Sequence, residues 1–279
     1  MPSESTWTKC WEEWSGKGDF QTDIQQHRQE RQTLFRLMEE SLHATGTLPV
    51  RVLEVGCGTA IDSHLLAQDP SYSIFALDRS LEAIQVARRI SQYFRRSATL
   101  FVGDASVLPF PDGTFDVVFS QGLLEHFREP MPLLREQVRV LKPSGFLIVD
   151  VPQTFAGLGL YSLRKQWKIR RGTWPWGWET QFSYPQLRRM GASLGLVPLG
   201  VGGYGFDGLF NLLANPHVMI DKHPFLRRLP IAQAYKRFYL RYLRRHNDRL
   251  WGWLCRQLGH WFLICIVVRF QKGKPCASF

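Results

Sequence analysis

The sequence has no pair of cysteines at the spacing of a zinc site or a redox motif. It has five cysteines in 279 residues, an odd number scattered along the chain. They are Cys10, Cys57, Cys255, Cys265 and Cys276. Such a set is typical of reduced thiols in a cytoplasmic protein and argues against a disulfide framework.

Long hydrophobic runs and a secretory leader are also missing. The longest strictly apolar run, residues 261–268, is far shorter than the roughly 20 residues that span a bilayer. The opening stretch MPSESTWTKCWEEW lacks the basic start and apolar run of a secretory signal. With 44% hydrophobic residues and a mean hydropathy of -0.19, we expect a globular cytoplasmic protein.

One segment is almost devoid of acidic residues. The formal net charge of the chain is +11, and residues 222–256 carry ten Lys and Arg against one acid, a local charge of +9. This concentration predicts a surface patch with an anionic neighbour, whereas the rest of the chain is nearly neutral.

Strand and helix patterns alternate from residue 50 onward. Apolar runs typical of strands lie at 50–57, 73–78, 98–104, 115–122, 145–152, 196–203 and 260–271. Most of them are separated by amphipathic helical patterns, and Ser80 is a good N-cap for one of these helices. The pattern predicts an α/β fold with a doubly wound, mostly parallel seven-stranded sheet and helical insertions.

Acidic and glycine residues follow the first three predicted strands, where ligands bind in such sheets. The first strand ends in Glu54-Val55-Gly56-Cys57-Gly58, the second in Asp78, and the third in Gly103-Asp104-Ala105. A carboxylate after the second strand can accept both hydroxyls of a ribose. A carboxylate after the third strand can accept a hydrogen bond from the amino group of an adenine. The ends of the first three strands together therefore predict an adenosine-containing ligand.

The glycine motif does not favour a dinucleotide. A dinucleotide requires GxGxxG, which brings the pyrophosphate to a helix N-terminus. Here the sixth position is Ile61, and the acid Glu54 precedes the first glycine. A ligand without phosphate, with a cationic sulfur and an amino acid tail, fits this turn better.

The ordered motifs LEVGCG, ALD, GDA, FDVVFSQGLLEH and LKPSGFLIV resemble the class I S-adenosylmethionine-dependent methyltransferases, especially the small-molecule branch of quinone and natural-product enzymes. The resemblance covers residues 50–153. It implies a Rossmann-like methyltransferase fold, S-adenosyl-L-methionine as cofactor and S-adenosyl-L-homocysteine as product. A structural α/β domain with a vacant pocket is the alternative.

The resemblance also implies which residues contact the cofactor. The methionine half would lie against Glu54, Gly56 and Gly58. Asp78 would hold the ribose, with Arg79 near the adenine. Asp104 and the Ala105 backbone amide would bind the adenine, and Ser120 and Gln121 would offer backbone carbonyls to the amino group.

The same resemblance places His126 beside the transferable methyl group. Methyl transfer is an in-line displacement that depends mainly on positioning and desolvation, and a base is needed only if the acceptor must lose a proton. We predict His126 as that base, with a packing or cofactor-contacting role as the alternative. Some relatives build a metal site from E-x-x-E-H at this point, but Gly122 replaces the first carboxylate, so no metal is expected.

Composition changes divide the chain into six predicted segments. They are an N-terminal helical cap (1–47, with an amphipathic helix at 20–44), the cofactor-binding core (48–153), a lid or acceptor insertion (154–181), a helix and strand that continue the core (182–205), a basic aromatic helical insertion (206–259), and the last strand with the tail (260–279).

The two insertions are expected to select the acceptor, because loops on a rigid scaffold commonly carry specificity. Trp174, Trp176 and Trp178 either wall an apolar pocket or anchor a lid. Weaker candidates for the pocket wall are Tyr161, Trp167 and Tyr184.

In the second insertion, apolar residues follow helical spacing among basic ones. The apolar stripe comprises Ile231, Ala234, Tyr235, Phe238, Tyr239, Tyr242 and Leu243; the basic residues are Lys236, Arg237, Arg241, Arg244 and Arg245. The stripe packs on the core, lies on an anionic membrane surface, or belongs to an RNA-binding face.

These observations predict an S-adenosylmethionine-dependent methyltransferase that acts on a small or lipid-like hydrophobic acceptor, first at oxygen and next at carbon. An RNA methyltransferase that uses the basic 222–256 patch is one alternative, although the chain lacks the N/D-P-P-Y/F motif of many base and amide methyltransferases. A non-catalytic cofactor-binding scaffold is the other. The expected location is the cytoplasm, with the membrane surface as a further possibility; the oligomeric state is left open.

Overall fold

The computed structural model describes residues 4–46, 48–204, 220, 223–246 and 263–273. The seven strands form one sheet in the order β3-β2-β1-β4-β5-β7-β6. They are β1 (Val50–Val55), β2 (Tyr72–Asp78), β3 (Thr99–Val102), β4 (Phe115–Gln121), β5 (Leu141–Pro152), β6 (Leu196–Tyr204) and β7 (Cys265–Lys272). The helices are α1 (Glu4–Ser15), α2 (Gln21–Glu30), α3 (Gln32–Ala44), α4 (Ile61–Leu66), α5 (Leu81–Ser91), α6 (Pro130–Val140), α7 (Leu160–Arg170), α8 (Tyr184–Ala192), α9 (Pro224–Arg228) and α10 (Pro230–His246).

The first five strands are parallel, and β7 runs antiparallel between β5 and β6. This confirms the predicted doubly wound, mostly parallel seven-stranded sheet. Helical crossovers such as α4 and α5 connect the parallel strands, as parallel pairing requires.

Hydrophobic cores cover both faces of the sheet, because successive strand residues point to opposite faces. In β4, Val118 belongs to one core, whereas Val117 and Phe119 belong to the other. Burial on both faces explains why β4 reads as an almost continuous apolar run.

The N-terminal helices differ from the sequence-based expectation. Instead of one helix over 20–44, the chain forms α2 and α3 with a break at Arg31, whose backbone (φ −98°, ψ 15°) leaves the helical region. A further helix, α1, precedes them and lies on α5, where the Arg89 guanidinium donates to the carbonyls of Ser15 and Lys17.

The sequence KPSG, residues 142–145, is typical of a turn but lies within β5. Leu141 pairs with Phe115, and the register then shifts before Val117 pairs with Phe146. Ser144 takes a positive φ of 65° at this irregularity. The turn residues therefore make a bulge in the strand instead of ending the preceding helix in a separate loop.

The 154–181 insertion leaves the sheet and returns beside the same strand. The Thr154 N–H donates to the Phe182 carbonyl (2.9 Å), and the Phe182 N–H donates to the Pro152 carbonyl (2.9 Å). The insertion, which includes α7, is therefore tied at both ends to the carboxyl end of β5.

Much of the 206–259 insertion lies outside the described residues, which include α9 and α10 but not the side chains of residues 239–246. The start of the 260–279 segment also lies outside them, and β7 begins at Cys265. In the described part of the chain, no helix combines the length and apolar character needed to cross a bilayer.

Candidate active site

The predicted site residues gather because β3, β2, β1 and β4 are neighbours in the sheet. All four strands are parallel, so their carboxyl ends lie at one edge. The chain winds outward from β1 through β2 to β3 and then crosses to β4 on the other side. The crevice above β1 and β4 is therefore the topological switch point, where doubly wound sheets bind ligands.

The glycine turn after β1 is held by the second strand. The N–H groups of Gly56 and Cys57 both donate to the Leu77 carbonyl (2.8 and 3.0 Å). Gly56 has a φ of +73°, and a Cβ there would lie 2.7 Å from a methyl of Leu123. Glycine is required here by both conformation and space.

Asp78 joins the glycine turn to the next helix. Its Oδ2 accepts from the Gly58 N–H (2.9 Å), and its Oδ1 accepts from the Ser80 N–H (2.9 Å). Burial raises the pKa of Asp78, and these backbone bonds oppose that shift. Each carboxylate oxygen can still accept another hydrogen bond from a ligand.

Glu54 faces the start of α4. Its Oε2 accepts from the Ser63 hydroxyl, and its pKa is raised well above the usual range by burial, with the neighbouring Asp62 acting in the same direction. The structure therefore gives Glu54 a hydrogen-bond partner within the protein.

The other predicted cofactor contacts vary in exposure. Arg79 and Asp104 are exposed, and Asp104 Oδ1 accepts from the Ser106 N–H (2.7 Å). Ala105 and Ser120 are buried. Gln121, at the end of β4, has a buried Nε2 without a hydrogen-bond partner among the described residues.

His126 lies in a short 3₁₀ turn, Leu124–His126, just beyond β4. Burial lowers its pKa, although Glu179 and a hydrogen bond with the Trp178 backbone act in the opposite direction. Nδ1 is buried and has no hydrogen-bond partner in the described structure. A neutral imidazole with an unpartnered Nδ1 can accept a proton, as a base requires.

Three polar residues next to His126 were not predicted as site residues. Glu125 is 3% exposed, and burial, with a smaller effect from Glu179, raises its pKa to about 8. Lys165 of α7 and Glu179 form an ion pair and are 3% and 6% exposed. The Thr180 N–H donates to the Glu125 carbonyl (2.9 Å), so the insertion is fastened to the end of β4.

Tryptophans cover this end of the crevice. Trp7 of α1 contacts the His126 ring edge-on (centroids 5.2 Å apart), Trp176 at a tilt (5.7 Å) and Trp11 in a stack (6.1 Å). Trp11 also contacts Gly58, where a Cβ would lie 3.0 Å from its ring. The sequence signal for this cover was the spacing of two tryptophans one helical turn apart in α1.

The other aromatic candidates are placed differently. The Trp174 ring lies 5.1 Å from Lys165 Nζ, and Arg128 lies 5.3 Å from the Trp178 ring. Trp167 is exposed beside Arg171, Tyr161 is half-buried in α7, and Tyr184 packs against the core.

A family of methyltransferase domains matches this part of the chain, over residues 53–149. The match begins in β1 and ends in β5, so it includes every strand end described above. Residues 53–149 match a methyltransferase domain. The resemblance inferred from the motifs is thus confirmed.

Two curated relatives are similar to part of this chain. The chain is 36% identical over 105 residues to a 2-methyl-6-phytyl-1,4-hydroquinone methyltransferase of Synechocystis, covering 37% of this chain and 33% of the relative. It is 41% identical over 108 residues to a demethylmenaquinone methyltransferase of Renibacterium salmoninarum, covering 38% of this chain and 43% of the relative. The chain thus spans less than half the length of these relatives.

A solved structure extends the likeness in fold beyond the methyltransferase domain. The magnesium protoporphyrin IX methyltransferase of Synechocystis, determined with bound S-adenosylhomocysteine, matches with a TM-score of 0.58. The match covers 96% of this chain and 95% of that one at 17% identity. At this identity the likeness concerns the fold.

Proposed function

We propose that the protein is an S-adenosylmethionine-dependent methyltransferase that acts on a small, hydrophobic acceptor. The observation that carries this proposal is the convergence of the Gly56–Gly58 turn, Asp78, Asp104 and His126 at one edge of four adjacent strands. These are the residues that the resemblance assigns to the cofactor and to the reacting end.

The chain's own groups fit that cofactor. Gly56 and Gly58, both with positive φ, form the tight turn at the edge of the crevice, and Asp78 has spare acceptor capacity for ribose hydroxyls. Gln121 has a buried donor without a partner among the described residues. When bound, the cofactor supplies a methyl group on a positively charged sulfur. We propose that Glu54 acts on the cofactor indirectly, because it is buried and its Oε2 accepts a hydrogen bond from Ser63.

His126 is the proposed base. Its Nδ1 accepts the proton of an acceptor hydroxyl, and the negative charge of nearby Glu179 stabilises the resulting imidazolium. The tryptophans of α1 and of the 154–181 insertion exclude water from this end of the crevice, which favours the transfer.

Quinone-like molecules are the acceptors to test first. Two relatives that are similar to part of this chain are named for a hydroquinone and for demethylmenaquinone. An aromatic cover of Trp7, Trp11 and Trp176 suits a flat, apolar acceptor. We propose oxygen as the first methylated atom and carbon as the next.

The test is methyl transfer from labelled S-adenosylmethionine by the full chain to three acceptor pools: reduced quinones, a lipid extract and total RNA. We expect label in the first or second pool, and about 100-fold less with His126→Ala if a hydroxyl is deprotonated. Label confined to RNA would favour the RNA methyltransferase. Cofactor binding without label in any pool would favour the scaffold.

We propose further that α10 lies on an anionic membrane surface. Ile231 and Phe238 are 77% and 68% exposed, and Tyr235 is exposed between them on the same stripe. Lys236 and Arg237 adjoin these apolar residues. Exposed apolar groups beside cations match an interfacial helix, which would bring the enzyme to a lipid-like acceptor. The rest of the stripe, from residue 239 on, has side chains outside the described structure.

Vesicle sedimentation tests this surface. The double variant Ile231→Ser, Phe238→Ser should bind vesicles containing 30% phosphatidylserine at least about tenfold more weakly, because about 1.5–3 kcal/mol of burial per side chain is lost. Leu163→Ser, at another exposed apolar residue, is the matched control. Equal binding of both variants, or no binding by the native protein, would rule out the membrane contact.

A further inference from the structure

The end of the 154–181 insertion is bonded to the turn that carries His126. The Thr180 N–H donates to the Glu125 carbonyl (2.9 Å), and the backbone of Trp178 makes a hydrogen bond with the His126 ring. The two bonds lie on either side of Glu179 in the sequence, and they join the insertion to two consecutive residues beyond β4. The main chain therefore holds Glu179 beside the proposed base.

A buried ion pair fixes this segment of the insertion to α7. Glu179 pairs with the ammonium of Lys165, and the two side chains are 6% and 3% exposed. A second bond joins the same two elements, because Gln181 Nε2 donates to the Ser162 hydroxyl (3.0 Å). Breaking a buried ion pair leaves an uncompensated charge, whereas an exposed pair contributes little to stability. The position of residues 178–180 therefore depends on the Lys165–Glu179 pair.

The hydrogen bond with Trp178 selects one tautomer of His126. This bond favours the protonated ring, so a ring N–H donates to the Trp178 carbonyl. Nδ1 has no partner in the described structure, which assigns the bond to Nε2. A neutral imidazole has one N–H, and the hydrogen bond that it makes decides which nitrogen keeps the lone pair. The main chain of the insertion thus leaves the lone pair on Nδ1, where the proposed base needs it.

The same ion pair surrounds His126 with opposite charges. Among the described residues, the charged groups that act on the ring are Glu179, which favours the imidazolium, and Lys165, which opposes it. Glu125 precedes His126 in the turn, and its pKa of about 8 keeps that carboxyl neutral near neutral pH. Trp7, which packs on the ring from α1, carries no charge. Removing either member of the pair should therefore change the basicity of His126 in a direction of its own.

We infer that Lys165 and Glu179 are positioning residues for the proposed methyl transfer: their ion pair holds the Trp178 carbonyl on Nε2–H of His126 and leaves Nδ1 unprotonated. The inference rests on the proposed function, because His126 is taken there as the base. The insertion that is expected to select the acceptor thus also prepares the base, and neither Lys165 nor Glu179 needs to touch the substrate.

The experiment reads the His126 tautomer directly and needs no acceptor. The full chain is labelled with ¹⁵N in its eight histidines, and long-range proton–nitrogen spectra are recorded over a range of pH. The His126 signals are identified by their loss in His126→Gln. We expect one neutral tautomer, protonated at Nε2, and a titration midpoint below that of an exposed histidine because burial disfavours the charged ring.

Single variants of the pair should move the His126 midpoint in opposite directions. Glu179→Gln should lower it by about one pH unit, and Lys165→Met should raise it. Both should also add the Nδ1–H tautomer to the spectrum, because the Trp178 carbonyl is no longer held in place. Lys165→Arg keeps the ion pair and should retain the native tautomer. Asp112→Asn, in an exposed ion pair before the start of β4, is the control and should change neither property.

A double variant guards against unfolding caused by a single unpaired charge. Lys165→Met, Glu179→Gln removes both charges at once, so it should fold, show both tautomers and titrate between the two single variants. Purely structural damage would instead shift the midpoint in the same direction in all variants.

Three results would overturn the inference. They are a native His126 protonated at Nδ1, native tautomer populations in the double variant, and midpoints that move in the same direction in Glu179→Gln and Lys165→Met. The expected tautomer and shifts without methyl transfer to any acceptor pool would overturn the proposed function and leave the positioning of His126 standing.

Discussion

At the level of single residues, Asp78 links folding to the proposed cofactor site. The same carboxylate accepts hydrogen bonds from the glycine turn and from the start of α5. A ligand ribose would therefore meet an acceptor that the backbone has already oriented, and little ordering would remain to be done on binding.

Replacing Asp78 by Asn should weaken S-adenosylhomocysteine binding by about 10- to 100-fold, since the charged acceptor is lost. The amide oxygen can still accept one backbone hydrogen bond, so the thermal unfolding temperature should fall only slightly. Calorimetric titration measures the affinity. Asp112→Asn, at an exposed acid paired with Arg139, is the control. An unchanged affinity would refute the ribose assignment.

Glu125 makes stability depend on pH in a defined direction. Its pKa is raised to about 8, so between the ordinary Glu pKa and pH 8 the folded protein binds a proton that the unfolded chain releases. The contribution of Glu125 to native stability is therefore fully present below its pKa in the unfolded chain. It is lost as pH rises through this window.

Glu125→Gln cannot ionise and should escape this loss. When pH is raised from 5 to 8, the free energy of unfolding of the variant should increase relative to that of the native protein by at least about 1 kcal/mol. This corresponds to about 2–4 °C in unfolding temperature for a chain of this size. Thermal scans at both pH values measure the gain. Glu136, whose pKa is lowered by Arg139, provides the control Glu136→Gln. If the unfolding temperatures of Glu125→Gln and the native protein differ by the same amount at both pH values, the Glu125 carboxyl is not held neutral by burial.

Among the elements, α1 has three tryptophans, and the surroundings of Trp11 and Trp14 differ. Trp11 faces Gly58 and Trp7, whereas Trp14 stacks on Phe20 (centroids 6.1 Å apart), away from the crevice. One helix therefore covers the proposed cofactor site with one side and fastens itself to the domain with another.

Trp11→Ala should weaken S-adenosylhomocysteine binding about three- to tenfold, because it opens the crevice to water and removes apolar contact at Gly58. Trp14→Ala should lower the unfolding temperature and leave the affinity unchanged. Calorimetry and thermal scans of both variants separate the two roles. Equal affinities of the two variants would show that α1 does not cover the ligand.

For the whole molecule, the sheet topology predicts which small molecule stabilises the fold. A ligand that binds only the native state at 100 times its Kd stabilises it by about 2.7 kcal/mol. S-adenosylhomocysteine should thus raise the unfolding temperature by about 5–10 °C. NAD should cause no shift, since Ile61 stands in place of the third glycine. A shift with NAD alone would redirect the assignment to a dinucleotide.

The sequence by itself determined the parallel core and most of the proposed cofactor site. Strand periodicity, the glycine turn and the carboxylates after β2 and β3 are local patterns, and parallel strands bring their carboxyl ends to one edge wherever the helices pack. His126 was assigned from the family resemblance, at a position five residues beyond the end of β4.

Only the tertiary structure decided what surrounds the reacting end. Trp7 meets Trp176, and Glu125 meets Lys165 and Glu179, across separations that leave no local signal. Likewise the Tyr204 hydroxyl donates to Asp150 (2.6 Å), and both contact Arg31, so the residue before α3 is joined to β5 and β6. Such contacts depend on how helices and insertions pack, and side-chain periodicity reports the buried face of an element but not the residue it will touch there.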